Sequence, residues 1–345
     1  MTVSTAIDIR QRNKERIRSA IQQHERCTKA DIARETALSM ATCSTALNEM
    51  LEAGEIIKVD QTGFNIGRPA DLFAYNPDYL HILGIGTEIM NGEHIVEYAI
   101  ADSFGKIIER EKADVGKAAE GGLTYELIEA LVDACIEKDP LIRAVSLGIP
   151  GHALDGCIAD CDIASLSHTD FAAKIREKHD VQVIVENDMN FIAYRMYHEC
   201  GEEMADHAAL FFPTEANSFI GCGFIVGGRL LKGKSMYAGE LASVAHAFGV
   251  PRVMQQELMN DRDAFRKYVM QMIVVVSCTI NPAHMTLMGN NLTEEDLTII
   301  HDSCLQFISE RNLPQMKIDN DVFGNYIEGI VRFTLDSVLF PILMQ

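Results

Sequence analysis

Three groups of residues have types and spacing suited to chemistry. The first is VQVIVENDMN, residues 181–190, an apolar run that closes on Asn187 and Asp188. A carboxamide beside a carboxylate, held at the end of a buried strand, can grip two adjacent hydroxyls of a sugar with directional bonds. The same pair can instead satisfy the free amides at the start of a following helix. The second is HILGIGTEIMNG, residues 81–92, a strand-like run entering a glycine-bearing turn. Such turns cradle phosphates when glycine amides face the anion. The third is Cys157 and Cys161 near Asp155, Asp160 and Asp162. Their spacing matches no familiar metal site, and the expectation is a turn carrying small buried thiols.

These residues need elements to position them. From Leu80 onward strands and helices alternate in an α/β manner. Residues 80–114 read as three consecutive strands, with turns at Asn91–Gly92 and at residues 103–105. A helix over 124–137, a strand over 142–151, a helix over 171–180, the strand ending at Asn187 and a helix over 190–199 follow. A second run of meandering strands opens at residue 207, followed by helices over 253–261 and 264–282, the strand HMTLMGN and two closing helices. The pattern is two successive α/β lobes.

The first 76 residues differ. Ile17 and Ile21 mark a helix over 13–25, and Thr28 caps a second with Asp31 three residues on. Ser39 caps a third, whose apolar face is Cys43, Leu47, Met50 and Leu51 and which ends at Gly54. A hairpin turning at Thr62–Gly63 completes the order of a winged helix-turn-helix. The third helix would present Met40, Thr42, Ser44 and Thr45 to the major groove. Arg68, held in GRP where the wing would be, suits a narrow minor groove. Between Met40 and Met50 there is no Lys or Arg, so direct guanine readout there is poor. A three-helix protein-interaction module is the alternative.

Bulk properties restrict the class. At 345 residues and 48% hydrophobic the chain suits two or three domains with real cores. No apolar run reaches the roughly 18 residues of a membrane helix, and the N-terminal residues lack a signal core. Nine scattered cysteines fit reduced thiols, and a cytoplasmic location is expected. The net charge of −20 is uneven: residues 1–76 carry ten basic and ten acidic groups, leaving twenty basic and forty acidic groups to the rest. An acidic body repels DNA and leaves contact to the neutral segment.

Taken together, SLGIPGHALDG, ENDMNFIAY, GCGFIVGGRLLKG, AGELASVAH and TINPAHMTLMGN resemble the ROK family of bacterial sugar-responsive repressors and sugar kinases. The resemblance covers nearly the whole chain, as in the family's regulator branch. It implies two ribonuclease-H-like, actin-like lobes, with a winged helix-turn-helix at 1–76, a first lobe at 80–200, and a second at 201–345. The second lobe would carry dimerisation helices, and its C-terminal helix could pack back on the first.

The resemblance also implies sugar contacts at Gly151, Asn187, Asp188 and Glu240, where Asp188 matches the kinases' base. Ser243 replaces the motif's histidine, with His246 three residues on. The family's zinc-binding cysteines are absent, so no metal is expected. Gly86 stands where the phosphate loop has its aspartate, and Glu88 and Ile89 where it has two glycines. Phe219 replaces the first glycine of the second phosphate loop, SFIGCG. A carboxylate and a branched side chain there oppose an anionic phosphate. The expectation is a DNA-binding regulator of carbohydrate genes, a repressor. It would bind operator DNA as a homodimer or homotetramer, respond to a sugar or sugar phosphate, and use no cofactor or kinase activity. The alternatives are a sugar kinase with a DNA-binding head and a regulator that has lost its sugar response.

Overall fold

The chain is described here by a computed structural model covering residues 6–59, 70–90, 92–113, 122–200, 205–213, 220–250, 258, 260–289 and 292–342. Its head contains helices α1 (Ala6–Gln22), α2 (Lys29–Thr36) and α3 (Met40–Glu52). Strands β1 (Cys27–Thr28), β2 (Ile56–Val59) and β3 (Leu72–Tyr75) form an antiparallel sheet in the order β1-β3-β2. The local sequence explains these limits. Thr28 and Asp31 make a reciprocal capping box at α2, and Ser39 Oγ accepts the Thr42 N–H at 3.0 Å at α3. Gly54, at φ +73°, takes the left-handed conformation that ends α3. Ile17, Ile21, Ile32, Cys43, Leu47 and Met50 are fully buried, and Leu51 packs half-buried at the margin. Helix α1 begins seven residues before the expected start. The expected wing, with Arg68 and the turn at Thr62–Gly63, lies outside the described residues.

The body is built on two five-stranded sheets. The first contains β4 (His81–Met90), β5 (Glu93–Ala101), β6 (Ile107–Lys112), β7 (Ile142–Ile149) and β10 (Gln182–Asn187), in the order β10-β7-β4-β5-β6. Strands β4 to β6 are antiparallel, whereas β7 and β10 run parallel to β4. The second sheet repeats this plan with β11 (His207–Phe211), β12 (Gly221–Val226), β13 (Arg229–Leu230), β14 (His284–Met288) and β15 (Gln315–Ile318). Its order, β13-β12-β11-β14-β15, is the same: an antiparallel meander with two parallel strands added beside the first. Helices α4 (Tyr125–Lys138) and α5 (Phe171–Lys178) flank the first sheet, and α7 (Leu241–Ala247), α8 (Arg262–Thr279) and α9 (Glu294–Cys304) the second.

One expectation is corrected. Cys157 and Cys161 do not sit in a turn of buried thiols. They begin and end β9 (Cys157–Cys161), which pairs with β8 (Gly151–Leu154), and Cys157 is exposed. The turn is Asp155–Gly156, both with positive φ, which is the two-residue connection that a right-twisted hairpin favours.

Helices α6 (Asp188–Glu199) and α10 (Val322–Leu339) lie between the sheets. Helix α6 packs on β11 and β12 of the second sheet, and α10 packs on β4, β5 and β7 of the first. Glycines allow the close approach. A β-carbon on Gly329 of α10 would lie 2.2 Å from the Phe191 carbonyl oxygen, and one on Gly223 of β12 would lie 2.3 Å from that of Met189. One buried apolar cluster runs from Ile21 and Met50 in the head through Tyr75 and Leu80 to Phe191, Ile330 and Leu339. Polar contacts reinforce the joint. Arg18, buried, meets buried Glu55 and the Leu339 carbonyl, with its guanidinium 5.5 Å from the Phe340 ring centre. Glu15 Oε1 accepts the Ile342 N–H at 3.2 Å.

Candidate functional site

A narrow cleft, partly open to solvent, lies between the lobes, with a free volume of only about 20 Å3. The first lobe contributes His152, Glu186, Asn187 and Asn190 to its lining; the second contributes Cys222, Lys232 and Glu240. Because β7 and β10 are parallel neighbours, the chain leaves both at the same edge, which brings Gly151 beside Asn187. Asn187 Nδ2 donates to the Gly151 carbonyl at 3.0 Å, and its Oδ1 accepts the Asn190 N–H at 3.2 Å. Asn187 is therefore both the N-cap of α6 and a cleft wall.

Glu186, buried, organises this edge. Its Oε1 accepts the Asn187 N–H and the Asn190 side-chain amide, each at 2.9 Å, while Oε2 pairs with Lys232 across the cleft. A second cross-cleft pair joins His152 Nε2 to Glu240 Oε1 at 3.3 Å. The His152 ring lies 6.1 Å from the Tyr237 ring, and Tyr237 Oη is 2.7 Å from Ser243 Oγ. Gly151, Asn187, Glu240 and, through Tyr237, Ser243 thus converge on one region, whereas His246 is exposed on the far turn of α7. His152, Glu186, Asn190, Lys232 and Tyr237 escaped sequence reasoning. Glu186 and Asn190 carried a signal, since both belong to ENDMN, but a lone histidine, lysine or tyrosine carries none.

Asp188 begins α6 and is half-buried; its Oδ1 accepts the Met189 N–H at 2.7 Å. Enclosure by protein pushes its pKa up to about 7, and the charges of Glu88, Asp162 and Glu240 add to the effect. At the neighbouring edge, Thr87 Oγ1 donates to the Gly148 carbonyl at 2.8 Å. Tyr326 of α10 packs against this edge. A β-carbon on Gly148 would lie 2.1 Å from Tyr326 Oη, and one on Gly86 3.0 Å from Tyr326 Cε1 and Ile327 Cδ1. Burial pushes the Tyr326 hydroxyl well up in pKa. Phe219 lies outside the described residues. Among the described residues, no group of three or more His, Cys, Asp and Glu side chains is arranged to hold a metal ion, and no helix is long and apolar enough to cross a membrane.

A separate face lies on the head. Met40 and Thr45 are exposed at the start of α3, and Thr42 and Ser44 are half-buried. The Thr42 hydroxyl is engaged by Ser39 at 2.8 Å, and Thr45 Oγ1 donates to the Ala41 carbonyl at 3.2 Å. Lys29 of α2 reaches Ser44 Oγ at 3.5 Å, so a cation absent from α3 arrives from the preceding helix.

Comparison with known proteins follows these divisions. Residues 86–249 match the family described as ROK family, and residues 10–57 match a winged helix-turn-helix DNA-binding family. The xylose repressor of Bacillus subtilis (strain 168) is 20% identical over 263 residues, covering 73% of this chain and 65% of that protein. The DNA-binding transcriptional dual regulator NagC of Escherichia coli (strain K12) is 20% identical over 241 residues, covering 68% of this chain and 58% of that protein. The matches thus span less than two thirds of those relatives' own lengths. Among solved structures, a ROK family transcriptional regulator described as a homolog of the E. coli MLC protein superposes with a TM-score of 0.70 at 13% identity. It covers 97% of this chain and 99% of its own. The ROK hexokinase from Thermus thermophilus gives a TM-score of 0.58 at 16% identity, covering 75% of this chain and 99% of its own. At these identities the likeness establishes the fold.

Proposed function

We propose that this chain, a ROK-family body behind a winged helix-turn-helix head, is a sugar-responsive transcriptional regulator without kinase activity. The head would read operator DNA as one half of a dimer, through Met40, Thr42, Ser44 and Thr45 with Lys29 beside them, and through Arg68 from the wing. A sugar in the cleft would engage Asn187, Asp188 and Glu240, with Gly151 and Ser243 alongside. Glu240 would exchange His152 for a sugar hydroxyl, which makes the relation between the lobes depend on occupancy. The relatives named as a xylose repressor and a transcriptional dual regulator support this reading.

One observation carries the choice of regulator over kinase: Tyr326 packs against Gly86, the position of the phosphate loop's aspartate, and against Gly148. An aspartate at position 86, as a kinase-type loop would require, would meet that ring. Glu88 adds negative charge at the same edge. A regulator whose body only dimerises remains a second reading. It is favoured by the two cross-cleft pairs, His152 with Glu240 and Lys232 with Glu186, which engage the cleft's polar groups within the protein itself.

The test is titration of the full chain with DNA from its own promoter region, read by fluorescence anisotropy, with and without xylose, N-acetylglucosamine and glucose. A specific, salt-sensitive complex whose affinity shifts tenfold or more with one sugar is expected. Absence of any shift would favour the second reading. Phosphorylation of any of these sugars by ATP, lost in Asp188→Asn, would overturn the regulator reading.

A further inference from the structure

Resting on the sugar-binding reading, we infer that residues 232–240 form a strap latched across the cleft, and that the effector enters only when the strap releases the first lobe. The segment lies between β13 and α7 and supplies Lys232, Met236, Ala238 and Glu240 to the cleft lining. The two ion pairs that cross the cleft start from its two ends. Lys232 meets Glu186, and Glu240 Oε1 lies 3.3 Å from His152 Nε2. Between them, the Tyr237 ring lies 6.1 Å from the His152 ring. The space that remains, about 20 Å3, admits about one water molecule and no sugar ring.

The strap is the movable side of this contact. Glu186 is buried and fixed to the first lobe by the Asn187 N–H and the Asn190 side-chain amide, each at 2.9 Å. The strap's own backbone is held loosely, with the Ala238 N–H donating to the Lys232 carbonyl at 3.3 Å. Gly233, Met236 and Gly239 all have positive φ. At +59°, Met236 occupies a conformation that a residue with a side chain adopts only when its surroundings enforce it. Here the surroundings are the cleft and the two pairs. Lys232, His152 and Glu240 are each partly exposed, so the pairs are weak enough to exchange for a ligand's hydroxyls. A sugar can donate to Glu186 and Glu240 and accept from Lys232 and His152, so every group that the strap gives up is satisfied again. Its apparent affinity is then reduced by the fraction of molecules whose strap is closed.

Cys222 reports on the strap directly. It is buried, lines the cleft, and its carbonyl oxygen would lie 2.4 Å from a β-carbon on Gly239, whereas Cys157 and Cys278 are exposed. Labelling of the full chain with N-ethylmaleimide, read peptide by peptide by mass spectrometry, compares these thiols without added sugar. Cys222 should label far more slowly than Cys278, and Lys232→Met should accelerate it about tenfold or more. Lys232→Arg, which keeps the cation, should restore the slow rate. Cys304, buried in the second lobe, should stay unlabelled throughout. Calorimetry with xylose, N-acetylglucosamine and glucose should then show roughly threefold tighter sugar binding in Lys232→Met than in the parent. Rapid labelling of Cys222 in the parent, or a rate that Lys232→Met leaves unchanged, overturns the strap whether or not a sugar binds. Equal acceleration of Cys304 also overturns it, since the pair would then hold the lobe together rather than the cleft shut. Sugar affinity that is unchanged or weaker in Lys232→Met overturns the gate and makes Lys232 a sugar contact or a bystander. If Cys222 responds as expected and no sugar binds either protein, the closure stands and the sugar-binding reading falls.

Discussion

At the scale of single residues, Asp188 is the group with the most to tell. It faces Glu88, Asp162 and Glu240 in an enclosed setting, with the Met189 N–H and the nearby Tyr326 ring as its neighbours from α6 and α10. Its pKa rises from 3.8 to about 7, so between those values the folded chain holds a proton that the unfolded chain has lost. Stability must then fall as pH rises through that window and stay lowered above it. Asp188→Asn removes the dependence. We expect it to be neutral near pH 4 and stabilising by about 2 kcal/mol at pH 8, a figure reduced because the side chain is partly open to solvent. Urea unfolding at the two pH values checks this, and a variant less stable than the parent at pH 8 contradicts it. Residues of this kind were only partly legible. Asn187 and Asp188 stood out because polar groups interrupt an apolar run. His152 and Lys232 did not, because each acquires its meaning from a partner on the opposite lobe.

Among elements, the crossing of α6 and α10 decides how the lobes meet. Gly329 leaves no room for a β-carbon against the Phe191 carbonyl, so Gly329→Ala should force the helices apart. The expected loss is about 1–3 kcal/mol, measurable by urea unfolding. Unchanged stability in Gly329→Ala would mean that the helices pack less tightly than described. Helices with side-chain caps were readable in advance, as Thr28 with Asp31 and Ser39 attest, because capping is local chemistry. The hairpin at Asp155–Gly156 was signalled by its turn dipeptide and passed over in favour of the cysteines beside it. Strand β15, QMKI, had no such signal: it is four residues long with two polar side chains, and it forms by pairing with β14.

For the molecule as a whole, the joint between head and body matters most. Arg18 connects Glu55, within the head, to Leu339, at the end of α10. Arg18→Ala would leave Glu55 buried with only Lys14, at 3.0 Å, for a partner. We expect a loss of about 3 kcal/mol, at the low end for a broken buried pair because Lys14 remains. Arg18→Met combined with Glu55→Leu should recover most of that stability while weakening any effect of sugar on DNA affinity, since the contact to Leu339 stays lost. Thermal unfolding and anisotropy titration together separate the two effects. A double variant with full sugar response would show that the joint is held by apolar packing alone. The acidic body and neutral head were visible from charge counts, but this joint was not, because its partners lie more than 300 residues apart.

Helix α10 spans this whole distance. Tyr326 near its start packs on the ends of β4 and β7, and Leu339 at its end holds Arg18 of the head. Its 18 residues make a rod of about 27 Å. Pivoted at the cleft, a tilt of about 5° would carry the far end through roughly 2 Å, and the attached head farther still. In the proposed dimer, paired heads would have to match half-sites one helical turn apart, a spacing of about 34 Å. An error of a few ångströms at each head is enough to lift side chains off base edges. The stiffness of one helix would then convert a change of hydrogen-bond partner in the cleft into a mismatch of pitch between protein and DNA.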